Sequence, residues 1–218
     1  MVTSRRGLIL TSISLGVTAL GLAPRPAVAG TFNPDRDVGD VVPAWTDLPG
    51  TDGRLHSWTD VADRDAVVVV FTCNGCPYAV DYEERINALA RRAIAPGSRF
   101  AVVAVNSHLV AEDSPEAMRQ RAERRGFVFP YLHDASQALA RGYGAVRTPE
   151  FFLLDRERRI VYMGAFDDAT DAAKVTSRHL EDALAALLEG RRPALAETAP
   201  VGCSIRFTRR RGGDPPAP

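Results

Sequence analysis

The sequence predicts a single α/β domain, a central mixed sheet flanked by helices, and three observations carry that prediction. Val67 to Phe71 is an unbroken run of β-formers, the pattern of a strand buried on both faces of a helix-covered sheet. Segments with helical spacing alternate with further short apolar runs. Phe151 to Leu154 and Ile160 to Met163, joined by the turn residues Asp155 to Arg159, read as a hairpin that adds antiparallel pairing.

In chain order, Asp52-Gly53 marks a turn and Leu55 to Trp58 reads as a short edge strand. The Val67 to Phe71 strand leads at once into Cys73-Asn74-Gly75-Cys76. A helix follows from about Tyr78 to Ala93, with Ile86, Leu89, Ala90 and Ala93 along one side, and Pro96-Gly97 ends it. Phe100 to Val105 is a second buried strand, then Asn106 to Ser114 is a polar loop. Ser114-Pro115-Glu116 opens another helix, with a capping serine and a first-turn proline, and Gly126 closes it. Pro130 makes Phe127 to Leu132 short or irregular. Ser136 to Tyr143 reads as a helix, and Arg178 to Leu188 as the closing one. The tail from Arg191 is rich in Pro, Gly and Arg and is expected to be partly disordered beyond about Phe207.

The first 29 residues read as an export signal. Arg5 and Arg6 precede an apolar run from Leu8 to Ala23, and Ala27-Val28-Ala29 offers a cleavage site. Ser4-Arg5-Arg6 before Gly7-Leu8-Ile9 resembles the twin-arginine type. The expected organisation is signal 1–29, one domain over 30–207 and a tail over 208–218. The expected location is extracytoplasmic (periplasm, cell wall or secreted), with no membrane span in the mature chain.

Composition bounds the function. The chain has 218 residues, 25% charged and 45% hydrophobic, with a formal net charge of +0, so no basic surface argues for nucleic acid. Three cysteines are too few for a disulfide framework. A close pair, Cys73 and Cys76, plus the distant Cys203 suggests redox or metal chemistry. The pair sits where a buried strand turns into a helix. Free N–H groups and the positive end of the helix dipole stabilise a thiolate there, and the thiolate is the nucleophile. A spacing of three lets one sulfur attack a disulfide and the other resolve the mixed disulfide. Ahead of the later strand stands Arg147-Thr148-Pro149-Glu150, a step where a cis peptide can be built in.

Thr72-Cys73-Asn74-Gly75-Cys76-Pro77-Tyr78, Thr148-Pro149-Glu150-Phe151-Phe152-Leu153-Leu154-Asp155 and Gly202-Cys203-Ser204-Ile205 together resemble a peroxiredoxin-like branch of the thioredoxin superfamily, the alkyl hydroperoxide reductase/thiol-specific antioxidant type. The resemblance runs from about Val38 to Phe207. It implies a thioredoxin-like fold with Pro149 cis beside the dithiol, and a Thr148 backbone that pairs with a bound polypeptide.

The expectation is an exported thiol–disulfide oxidoreductase with no cofactor beyond a redox-active Cys73–Cys76 disulfide and no metal. Cys73 attacks, Cys76 resolves, and Thr148 and Pro149 shape the substrate groove. Protein thiols and disulfides are the partners, with a membrane thiol donor supplying electrons. Accessory roles fall to Cys203, Arg147 and Glu150. Glu150 reads as a solvent-facing loop residue, His56 and His179 as surface histidines, and Trp45, Trp58 and Phe166 as core or rim. The strand before the dithiol carries no acid, so the proton acceptor for Cys76 is unassigned.

Two alternatives stand beside this reading. A thiol-dependent peroxidase would need a threonine three residues before its reacting cysteine, and Cys73 and Val70 occupy those places. An extracytoplasmic copper carrier would use both thiolates with His108 or His133.

Overall fold

The computed structural model describes residues 30–209 together with Met1, so the expected signal and the last nine residues of the tail lie outside the described residues. The elements are β1 (Leu48–Pro49), β2 (Leu55–His56), β3 (Ala66–Phe71), α1 (Pro77–Ala93), β4 (Phe100–Asn106), α2 (Pro115–Arg125), β5 (Tyr131–His133), α3 (Ala138–Tyr143), β6 (Arg147–Thr148), β7 (Glu150–Asp155), β8 (Ile160–Gly164), α4 (His179–Leu188) and β9 (Cys203–Ser204). Five strands form the central sheet in the order β5-β4-β3-β7-β8. β3, β4 and β5 run parallel, while β7 is antiparallel to both β3 and β8. The domain is mixed α/β, as the sequence predicts.

The valine run explains the layering. Side chains alternate across a strand. Ala66, Val68 and Val70 enter a core shared with α1, α2 and α4. Val67, Val69 and Phe71 enter a second core with Trp45, Trp58 and α3. All six residues of β3 are buried, and each such valine or phenylalanine contributes about 1.5–3 kcal/mol by leaving water. The strand that leads into the dithiol is therefore buried along its whole length, between β4 and β7.

Local signals set the helix ends. The Ser114 side chain accepts the Ala117 N–H at 3.3 Å, and Pro115 occupies the first turn of α2. Gly126 ends that helix at φ 60°, ψ 46°, a conformation with little cost only for glycine. No helix among the described residues is long and apolar enough to cross a membrane.

Several expectations are corrected. The edge strand keeps only Leu55–His56, because Ser57 caps a short 3-10 turn over Trp58–Asp60. β5 begins after Pro130, where backbone N–H groups are again available for pairing. His56 is buried, its Nε2 at 3.0 Å from Asp52 Oδ1, and His179 is half-buried at the start of α4. Trp45, Trp58 and Phe166 are buried in the two cores, in line with the expectation. The two-residue strands β1, β6 and β9 had no signal in the sequence, since two residues show no periodicity.

Candidate active site

β3 delivers the chain to the site, and the Thr72 N–H still pairs with the Val105 carbonyl at 2.9 Å. Cys76 is the residue that starts α1, with Pro77 in the first turn. Cys73, Cys76 and Ala79 form a buried cluster against which Cys203 packs, and all three cysteines carry free thiols. Both dithiol sulfurs converge on Thr148. Cys73 Sγ lies 3.2 Å from Thr148 Oγ1, and the Cys76 thiol donates to the Thr148 carbonyl at 3.0 Å. The Thr148–Pro149 peptide is cis.

The two residues between the cysteines are held from outside. The Asn74 N–H donates to Asp113 Oδ1 at 2.6 Å, its Nδ2 donates to the Glu112 carbonyl at 2.7 Å, and its Oδ1 accepts from the Tyr131 hydroxyl at 3.1 Å. Asp113 is buried and also accepts from Asn106 Nδ2 at 2.8 Å. His108 approaches the same carboxylate, Nδ1 to Oδ2 at 3.7 Å, and its buried Nε2 has no hydrogen-bond partner among the described residues. Ligand-capable atoms of Cys73, His108 and Asp113 all lie within 4.8 Å of one another. That trio contains one of the two cysteines the copper alternative requires. The sequence marks His108 only as a copper ligand and gives no signal for Asp113, which ends a 3-10 turn over Ala111–Asp113 too short to show a periodicity.

Glu150 is the clearest correction at the site. It is buried, opposite Phe71 in the β3–β7 register, and its carboxylate accepts the N–H groups of Val146 and Arg147 at 2.8 and 2.9 Å. Burial pushes its carboxyl up to about 7, against the opposing pull of those two N–H donors. It braces the turn that presents Thr148. The Arg147 side chain is exposed and reaches Ser204 Oγ at 2.6 Å.

β6 pairs with β9, Thr148 opposite Cys203 and Arg147 opposite Ser204. The edge expected to take a polypeptide is thus occupied by the chain's own C-terminal segment. The Cys203 N–H points at Cys76 Sγ, 3.3 Å away. Cys73, Cys76, His108, Asp113, Cys203 and Arg206 line a cleft of about 690 Å³.

The three thiols are not equivalent. Burial pushes Cys73 up to about 12; the Asp113 charge adds to the rise, and the Thr148 hydroxyl partly offsets it. Burial also acts upward on Cys76, but the Cys203 thiol, the Ala79 and Cys203 N–H groups and Thr148 outweigh it, and Cys76 lies below the ordinary thiol value. Cys203 is pushed up to about 11 by burial and by the neighbouring Cys76. The two dithiol sulfurs are thus shifted in opposite directions: Cys76, beside the Ala79 and Cys203 N–H groups, is lowered, and Cys73, the attacker expected from the sequence, is raised.

Residues 37–184 match the family model described as Redoxin. Among solved structures, a hypothetical protein of Sinorhizobium meliloti is 37% identical, with 79% of this chain and 95% of that one covered and a TM-score of 0.72. A conserved protein of Geobacillus kaustophilus is 34% identical, with 87% and 100% covered and a TM-score of 0.74. A protein of Chlorobium tepidum described as thiol:disulfide interchange protein DsbE is 25% identical, with 70% and 98% covered and a TM-score of 0.55. No curated protein matches the chain.

Proposed function

This chain belongs to the redoxin family, and we propose that it is an exported thiol–disulfide oxidoreductase that works on protein substrates through Cys73 and Cys76. The observation that carries the reading is the convergence of both sulfurs on Thr148 at the start of α1, with the Cys203 N–H donating to Cys76 Sγ. In this reading the Cys76 thiolate attacks a client disulfide, a mixed disulfide forms, and the client's other sulfur leaves as a thiolate. Cys73 then loses its proton and attacks Cys76 Sγ. The Cys73–Cys76 bond forms as the second client thiolate leaves, so the client gains two electrons and the dithiol loses two.

Cys73 needs a proton acceptor for that second step. His108 is suited to it, because burial lowers its pKa and leaves the imidazole neutral near pH 7, and Asp113 faces its other ring nitrogen. Thr148 and Pro149 shape the groove. Export follows from the signal pattern at the N-terminus, and a membrane thiol donor would return the electrons in an oxidising compartment.

A second reading, peroxide reduction, shares the Cys76 thiolate. That thiolate would attack a hydroperoxide oxygen to give a sulfenic acid and an alcohol, and Cys73 would then condense with it to a disulfide and water. The experiment is equilibration of the mature protein against glutathione, with thiols counted by mass spectrometry, beside a thiol-dependent hydroperoxide assay. A reversible couple between roughly −120 and −270 mV, with insulin reduction and no hydroperoxide turnover, supports the exchange reading. Hydroperoxide turnover without insulin reduction overturns it in favour of the second.

A further inference from the structure

The C-terminal strand is built into the dithiol site rather than passing over it. Gly202 runs so close to β6 that a Cβ there would fall on the Thr148 carbonyl, so only glycine lets the strand dock. Beyond it, the Ile205 N–H pairs with the Val146 carbonyl at 2.9 Å and the Ile205 side chain is buried. Gln137 holds the next turn, donating to the Arg206 carbonyl at 3.0 Å and accepting from the Thr208 N–H at 2.8 Å. The Arg141 guanidinium lies over the Phe207 ring, 4.3 Å from its centroid. These anchors fix one residue, Cys203, against Cys76, with Thr148 Oγ1 reaching the Cys203 carbonyl at 3.5 Å. The segment lies outside residues 37–184, the part of the chain that matches the family.

We propose that Cys203 is a third redox thiol of this site, so that Cys76 closes a disulfide with either Cys73 or Cys203. The inference rests on the exchange reading of the dithiol. Starting from a Cys73–Cys76 disulfide, Cys203 gives up its proton and its sulfur attacks Cys76 Sγ. The Cys76–Cys203 bond forms, the Cys73–Cys76 bond breaks, and Cys73 leaves as a thiolate that takes up the proton. Oxidation level is unchanged and no outside oxidant enters. The product frees Cys73, the buried thiol beside His108 and Asp113, and ties the C-terminal strand across the groove.

Cys73→Ser tests this, because it leaves Cys76 and Cys203 as the only thiols. The variant is equilibrated in glutathione buffers that oxidise the wild-type dithiol, acid-quenched, alkylated and mapped by non-reducing peptide mass spectrometry. The expected product is an intramolecular Cys76–Cys203 disulfide. Adding Gly202→Ala, which crowds the strand off Thr148, should weaken that bond's equilibrium constant by about tenfold or more. Circular dichroism checks the fold, and Cys73→Ala replaces Cys73→Ser if the serine variant fails to fold. Only a glutathione adduct on Cys76, or a Cys76–Cys203 bond indifferent to Gly202→Ala, overturns the proposal. A wild-type chain with no reversible couple in the same buffers defeats the exchange reading instead.

Discussion

The carboxylate of Asp113 accepts the backbone N–H of Asn74 at 2.6 Å, tying a buried acid from one loop to the turn between the two cysteines. The bond holds the turn between the two cysteines, whose sulfurs converge on Thr148. It also places a negative charge near Cys73, which disfavours a thiolate there. One contact thus shapes the loop and separates the chemistry of its two sulfurs.

Cys76 should be the sulfur that reacts first. With iodoacetamide, Cys73→Ser should be alkylated at Cys76 with a pH midpoint below the ordinary thiol value of 9.0. Cys76→Ser should show Cys73 essentially inert at neutral pH, since burial holds that thiol near 12. Faster labelling of Cys73 would restore the order of attack expected from the sequence.

His108→Gln should slow resolution rather than attack. Release of client thiol from a mixed disulfide on Cys76, followed by stopped flow, should fall by about a hundredfold or more, the scale of losing a general base. The alkylation profile of Cys76 should stay in place. Equal loss in both steps would mark His108 as a packing residue only.

Asn74→Ala removes side-chain bonds to the Glu112 carbonyl and the Tyr131 hydroxyl. Each such bond is worth about 0.5–1.5 kcal/mol, so urea denaturation of the reduced protein should show a loss of roughly 1–3 kcal/mol. The reduction potential should move with it, because the loop that spaces the sulfurs is released. An unchanged potential would mean that the Asp113 bond to the Asn74 backbone suffices.

Glu150 should make the fold less stable as pH rises. Its carboxyl is raised from 4.5 to about 7 in the folded chain, so the native state binds more protons than the unfolded one between those values. Stability is full below about 4.5 and is lost as pH climbs through 7, by on the order of 3 kcal/mol at most. Glu150→Gln keeps an oxygen for the Val146 and Arg147 N–H groups and should flatten melting temperature against pH in that window. A wild-type profile already flat from pH 4.5 to 8 would count against a neutral buried Glu150.

The sequence by itself determined the elements whose pattern is local. Valine repetition from Val67 to Val70 announced a doubly buried strand, and Ser114, Pro115 and Gly126 announced both ends of α2. It also placed Cys73 and Cys76 at a strand-to-helix turn, since a thiol pair at that junction depends only on neighbours in the chain. Only the tertiary structure decided the rest. Glu150 is polar and adjoins a proline turn, yet it is buried, because β7 lies in the middle of the sheet beside β3. Asp113 and His108 join Cys73 through a loop without periodicity. Cys203 meets Cys76 across 127 residues because Gly202 permits a close strand approach to Thr148. Patterns of a few residues record secondary structure. Which distant side chains share a site depends on how the sheet orders its strands and on which loops its edges bring together.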